Sequence, residues 1–316
     1  MTSHVWLCLG PDLPEDEVPA LEREFPGVAF STDLAEEDYP SVDVVFTRNR
    51  LSDELTARLT ALKWIQTTYG GGLSFLTPPV VERGITVTCS RGVQAGPLSE
   101  FTEACVLAMA KKLPLLLSRA GEARWDGEIA LDTISGKVAG LLGLGAVGSA
   151  VAKRLHQHGM TVRAIRRNLR DKPDYVESVA GLEALPDILR HADFLIIGLP
   201  PIEGIQGLIG ESELRAMKTT SCLINLVTRG IVEDAALARA LKEGWIAGAA
   251  CNVFQTNPLP RGSELWEAPN LIISPGIAQT DPLRWQKLRK VFTANLERYL
   301  KGAPMENIVD GKDGAY

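Results

Sequence analysis

No apolar run in this sequence approaches the roughly 20 residues that a bilayer-spanning helix requires. The apolar patch His4 to Gly10 runs into Pro11 and acidic residues and lacks the basic start of an export signal, so neither a membrane partner nor secretion is expected. Cysteine is scarce and scattered: Cys8, Cys89, Cys105, Cys222 and Cys251 form no CxxC pair. They read as small buried hydrophobes in a reducing compartment, which gives a cytoplasmic expectation and no metal site. Basic residues are outnumbered 33 to 39, for a net charge of -6, and no long basic run exists. The electrostatic footprint of a nucleic-acid binder is therefore missing, and a small-molecule partner is favoured. Histidine is scarcer still, with only His4, His156, His158 and His191. Internal repeats and low-complexity segments are absent as well.

What is present is an ordinary globular composition, 45% hydrophobic and 23% charged, in a chain of 316 residues that suits two domains. From Val5 to about Pro97, apolar runs such as VWLCL, VDVVF, KWIQT and ITVT alternate with helix-like stretches, PALEREF and SDELTARLTAL. That is the rhythm of an open parallel sheet. A continuous helical pattern follows from Pro97 to Gly121, bent or broken near Pro114, and it suits a hinge or a subunit contact. A second series of βα units begins at Lys137 and runs through VAGLLG, TVRAI, FLIIGL, CLINLV, IAGAACNVF and LIISPG. The closing amphipathic helix, PLRWQKLRKVFTANLERYLKG, follows that second series and can pack back on the first domain, making it discontinuous.

Gly143, Gly145 and Gly148 form GLGAVG directly after a strand pattern and at the start of a helix, the context that a dinucleotide fingerprint requires. The first glycine permits the tight turn, the second lets backbone approach a pyrophosphate, and the third lets helix and strand pack closely. The pyrophosphate would then rest on the positive helix end, against Ala146 and Val147. A site for NAD(H) should end the next strand with a carboxylate that binds the ribose hydroxyls. Here that strand ends in Ile165, Arg166 and Arg167, whose guanidinium groups suit a ribose phosphate, so NADP(H) is preferred and NAD(H) remains possible. The alternative is a pair of solvated surface arginines.

From residue 63 to 310 the chain resembles the D-isomer-specific 2-hydroxyacid dehydrogenases, in the manner of glyoxylate and hydroxypyruvate reductases. The resemblance rests on LKWIQT, RGVQAGPLSE, ISGKVAGLLGLGAVGSAVAKRL, GLPPIEGIQGLIG, LINLVTRGIVEDAALARALKEGWIAGAA, VFQTNPLP, LWEAPNLIISP and NLERYLKGAPMENIVD. It implies an α/β protein in which a Rossmann dinucleotide-binding domain, 97–282, is inserted in a smaller flavodoxin-like α/β substrate domain, 1–96 plus 283–316. A cleft between the two and a homodimer are further implications. By the same resemblance, Leu199, Pro200, Val227, Thr228 and Asn252 line the cofactor, with Asn252 where the family has an aspartate near the nicotinamide carboxamide. Ile202 and Ile205 replace threonines of the phosphate pocket. Arg229 matches the family's substrate-binding arginine, though an internal salt bridge is its structural alternative. Tyr69 with Gly70, Gly71 and Gly72 matches the substrate loop, whose amides could bind a carboxylate as a backbone nest.

Two departures bear on chemistry. The family's catalytic glutamate aligns with Asn257 and its proton-donating histidine with Gly276, so both members of the acid/base pair are replaced. The four histidines fall on the first strand or on helices of the nucleotide domain, where none is expected to reach a substrate. The expected function is accordingly an NAD(P)-dependent oxidoreductase with a non-standard acid/base site, acting on a small 2-keto or 2-hydroxy acid or a related carbonyl or imine. An imine already bears cationic nitrogen and needs no simultaneous proton donation. Tyr69, Glu100 or water could otherwise supply the proton, and an aromatic wall is the competing role for Tyr69. The alternative function is a catalytically retired NADP(H)-binding sensor or scaffold.

Overall fold

The computed structural model describes residues 3–10, 13–167, 169, 172–199 and 204–310, and the chain divides into two units, Met1–Gln94 with Asp281–Tyr316 and Ala95–Thr280. The divisions read from the sequence were 96/97 and 282/283.

In the first unit, runs of β-branched and aromatic residues form five parallel strands: β1 (Ser3–Cys8), β2 (Val28–Ser31), β3 (Val44–Thr47), β4 (Trp64–Thr67) and β5 (Thr86–Cys89). Their spatial order is β2-β1-β3-β4-β5. The central strands β3 and β4 are buried along their whole length, as strands in a sheet covered on both faces should be, and the buried Gln66 of β4 is hydrogen-bonded to Thr88 and Ser90. Three short helices connect them, α1 (Glu17–Glu24), α2 (Asp53–Arg58) and α3 (Pro78–Glu82). Ser52 caps α2 by accepting the Leu55 N–H at 3.1 Å, which satisfies one of the free donors of its first turn.

The second unit opens with α4 (Ala95–Ala110) and α5 (Leu113–Gly121). The expected bend lies between them, where Lys112 takes a left-handed φ of 50° and Pro114 occupies the first turn of α5, a position that needs no N–H. Seven parallel strands follow: β6 (Val138–Leu142), β7 (Thr161–Ile165), β8 (Ser178–Ala180), β9 (Phe194–Ile197), β10 (Cys222–Asn225), β11 (Gly248–Cys251) and β12 (Leu271–Ile273). They are linked by α6 (Ala146–Gln157), α7 (Leu185–His191), α8 (Glu211–Ala216) and α9 (Asp234–Lys242), in the sheet order β12-β11-β10-β9-β6-β7-β8. The order reverses at β6, and a doubly wound sheet binds ligands at such a reversal, outside the carboxyl ends of its strands. This is the Rossmann arrangement expected from the sequence. Two strands, β2 and β8, were not read there. Each has only three or four residues and lies at the edge or next to the edge of its sheet, too short for a periodic signal.

The chain then returns to the first unit through α10 (Arg284–Leu300), whose Leu288, Phe292 and Leu296 are buried. Phe292 stacks on Phe46 and Trp64 with ring centroids 4.6 and 5.7 Å away, so the last helix completes the core built by β3 and β4. No described helix is long and apolar enough to cross a membrane.

Candidate cofactor and substrate site

The three glycines of GLGAVG are each required by a different contact. Gly143 has a φ of 105°, and a β-carbon there would lie 2.8 Å from the Gly198 carbonyl oxygen, so the turn after β6 closes tightly on the end of β9. At Gly148 a β-carbon would fall 2.0 Å from the Gly143 carbonyl oxygen, which only hydrogen allows. At Gly145 a β-carbon would meet nothing within 4 Å. Packing within the protein therefore does not explain this glycine, and the open space in front of it suits a bound group. Gly145 is also the N-cap of the 12-residue α6 and offers no side-chain cap, so the first-turn N–H groups remain available to an anion. These features fit a dinucleotide pyrophosphate.

Along the strand ends one contact leads to the next. The Thr228 hydroxyl donates to the Leu199 carbonyl, tying the loop after β10 to that after β9. Asn225, buried at the end of β10, donates its amide to the carbonyls of Thr228 and Val253, both at 3.3 Å. Its own side-chain oxygen has no partner among the described residues. Asn252, just beyond β11, donates to Leu226 O at 2.9 Å and accepts from Ser274 Oγ at 2.8 Å and Ala278 N at 3.0 Å. A continuous rim thus joins the loops after β9, β10, β11 and β12 and brings Leu199, Val227, Thr228, Asn252 and Gly276 together. Ile205 is buried in the adjoining core, so it offers no hydroxyl and no surface to a phosphate. Pro200 and Ile202 lie outside the described residues.

Arg166 and Arg167 follow β7 directly, the first half-buried with its N–H on Ala180 O and the second exposed. The residues that directly follow Ile165 in the chain, Arg166, Arg167 and Asn168, include no carboxylate. Arg229 is exposed on the loop after β10 and makes no hydrogen bond or ion pair with the described residues, so the internal salt bridge considered for it is absent. Gly230 beside it adopts a φ of 69° against the Gln206 side chain, which fixes the turn that presents the guanidinium.

In the first unit, Tyr69 is 40% exposed and follows β4, and its backbone carbonyl accepts Ser90 N–H at 2.7 Å. The N–H groups of Gly70, Gly71 and Gly72 donate to no described backbone carbonyl. None of the three has a positive φ, however, so the alternation of hand that builds a backbone nest does not occur and the expected nest is not formed. Gly72 is explained by packing alone, since a β-carbon would strike Val309 Cγ2 at 2.6 Å.

The two positions that the resemblance aligns with an acid/base pair, Asn257 and Gly276, carry no proton-exchanging group. Asn257 accepts Phe254 N–H at 3.3 Å, and a neutral amide cannot raise the basicity of a partner as a carboxylate does. Gly276 has a φ of 75° and open space around it, the Asn252 carbonyl oxygen being the nearest group at 3.9 Å. Glu100 is not a free donor, because it pairs with Arg154 of α6 at 2.9 Å on the surface. His4 bonds Ser41 and Ser31, His158 bonds Glu103, and His191 bonds the Asp187 carbonyl, all structural or surface roles. The cysteines are no nucleophiles either: burial pushes the thiols of Cys105, Cys222 and Cys251 up to about 12. Sequence reasoning missed Asn225 and Gln279. Both are amides at strand or loop ends, and only the folded rim shows what they hold.

The family profile of the D-isomer specific 2-hydroxyacid dehydrogenase NAD binding domain matches residues 104–278. A glyoxylate reductase of Thermofilum pendens is 33% identical over 74% of this chain and 71% of its own length. A glyoxylate reductase of Aeropyrum pernix is 35% identical over 72% of this chain and 70% of its own. Among solved structures, a D-isomer specific 2-hydroxyacid dehydrogenase from Xanthobacter autotrophicus Py2, in complex with NADPH and MES, is similar with a TM-score of 0.85 at 27% identity, covering 99% of this chain and 100% of that one.

Proposed function

The chain belongs to the D-isomer-specific 2-hydroxyacid dehydrogenase family, and we propose that it is an NADP(H)-dependent oxidoreductase with an acid/base site of its own, acting on a small 2-keto or 2-hydroxy acid or a related carbonyl or imine. The observation that carries this reading is the open space at Gly145 over the uncapped N-terminus of α6. The glyoxylate reductases and the NADPH-bound relative support the substrate class and the cofactor. A nicotinamide dinucleotide, when bound, supplies or takes up a hydride. Gly143, Gly145, Ala146, Val147 and Gly148 hold its pyrophosphate, Arg166 and Arg167 its ribose phosphate, and Leu199, Val227 and Thr228 border it. Arg229 holds the substrate carboxylate by forked bonds, and the Tyr69 hydroxyl is the proton donor to test first. The unit containing Ala95–Thr280 is then the nucleotide domain and the other the substrate domain. Assembly as a homodimer and a cytoplasmic location, which suits five free thiols, belong to the same reading.

The absence of a proton-exchanging group at Asn257 and Gly276 favours a second reading, a retired NADP(H) sensor or scaffold. Calorimetric titration with NADPH and NADH, followed by an absorbance screen against keto acids, hydroxy acids, aldehydes and imines, separates the two. NADPH should bind at least about tenfold tighter than NADH, as expected for charge-assisted bonds to one phosphate. Substrate-dependent oxidation supports the enzyme. Binding with no turnover across the panel leaves the sensor.

A further inference from the structure

Asn252 has no capacity left for a ligand. Its two amide protons point to Leu226 O at 2.9 Å and, weakly, to Gln279 Oε1 at 3.5 Å, and its oxygen already accepts from Ser274 Oγ and Ala278 N. It is 2% exposed. Of the other polar side chains of this rim, Thr228 is committed to Leu199 and Ser274 to Asn252, while Asn225 gives its N–H groups to Thr228 and Val253 and keeps only a buried oxygen, with no donor for a ligand.

Gln279 differs. It is half-buried on the loop after β12, donates one amide proton to Gly276 O at 2.5 Å, and receives only the long contact from Asn252. One N–H and one acceptor position remain, the complement of a primary carboxamide, which also offers one of each for a reciprocal pair. Its place on the sheet suits the same group. With the pyrophosphate at α6 beside the reversal at β6, and the ribose phosphate at Arg166 and Arg167 beyond β7, the nicotinamide half extends over the ends of β9 to β12. Gly276 leaves that approach clear, since a β-carbon there would meet nothing nearer than 3.9 Å.

We propose that Gln279 binds the nicotinamide carboxamide through its free N–H and C=O, and that Asn252 supports Gln279 and the loop rather than touching the ring. This rests on the dinucleotide-binding reading above. The test is calorimetry with NADP+ and with 2′-phospho-ADP-ribose, which lacks the nicotinamide ring, on the full chain and on Gln279→Leu. The variant should bind NADP+ about tenfold more weakly, the effect of one or two lost hydrogen bonds, and bind the ringless fragment within about twofold of the parent. An equal loss for both ligands, which a merely structural role would give, overturns the proposal, as does no loss for either. If Gln279→Leu fails to fold, Gln279→Glu, which keeps the length but removes the donor, carries the same comparison. Failure of the unaltered chain to bind either ligand overturns the dinucleotide reading itself. Binding of the fragment at full strength with an unchanged NADP+ affinity in the variant removes Gln279 alone.

Discussion

A β-carbon added at Gly145 would stand in open space, whereas one at Gly148 would overlap the Gly143 carbonyl oxygen at 2.0 Å. The same substitution should therefore have opposite signatures at two positions three residues apart. Gly145→Ala is expected to leave the melting temperature within about 2 °C of the parent, because the new β-carbon meets nothing within 4 Å. It should reduce NADPH affinity at least tenfold, an estimate on the order of one to two lost backbone contacts. Gly148→Ala should instead destabilise the fold by about 1–3 kcal/mol, the usual cost of forcing atoms into a packed contact. Thermal melts and calorimetry on both variants check the pair. Gly276 adds a further constraint at this scale: its φ of 75° means that a histidine placed there must adopt a left-handed backbone or move the loop. The family resemblance located that position, yet the backbone conformation that now occupies it was not visible in the residue types.

The helices α4 and α6 are joined by Arg154, whose guanidinium bonds Ser99 Oγ at 3.0 Å, Glu103 at 2.8 Å and Glu100 at 2.9 Å, while His158 shares Glu103. The bond from His158, reinforced by Arg154, holds the Glu103 carboxyl below its ordinary value near 4.5. A carboxylate whose value is lowered by folding stabilises the fold above its unfolded value, and that contribution disappears as pH falls through the lowered one. Glu103→Gln should therefore lower the melting temperature by about 1–4 °C at pH 7, since partly exposed pairs contribute modestly, and the difference should close as the pH is taken below 4.5. A difference that persists unchanged at low pH would assign the effect to packing. At this scale the sequence showed a helical run broken near Pro114 and a helix after GLGAVG. It carried no sign that Arg154 would bridge them, because residues about 50 apart are brought together only by the fold.

On the surface of the second unit, Trp125 is 97% exposed, and Leu117, Leu131 and Leu113 are 72%, 53% and 45% exposed. Large apolar side chains clustered within one short stretch mark an interaction surface more often than solvent alone explains. The neighbouring charges, Arg119, Arg124, Glu122 and Asp126, pair with one another, so the stretch presents no net field of one sign to a second copy. If the proposed homodimer uses this surface, replacing Leu117 and Trp125 by serine should shift sedimentation from about twice the 34.2 kDa chain mass toward one chain mass. An unshifted dimer would place the contact elsewhere.

The apolar runs GLLGLG, FLII and CLIN and the glycine spacing determined the doubly wound sheet and the tight turn into α6 where a phosphate is proposed to sit, because strand burial and close backbone approach are local demands on residue type. The resemblance of ordered segments supplied the family, and it implies that Asn257 and Gly276 stand where the family has its acid/base pair. Tertiary structure decided how the polar groups at the strand ends are used. Whether an amide is free or committed depends on which carbonyls and N–H groups from other strands surround it, and hydrogen-bonding capacity is used up only in space. That is why Asn252, an amide suited to a ligand by type, is a structural knot, and why Gln279, which nothing in the chain order distinguished, keeps a donor and an acceptor open.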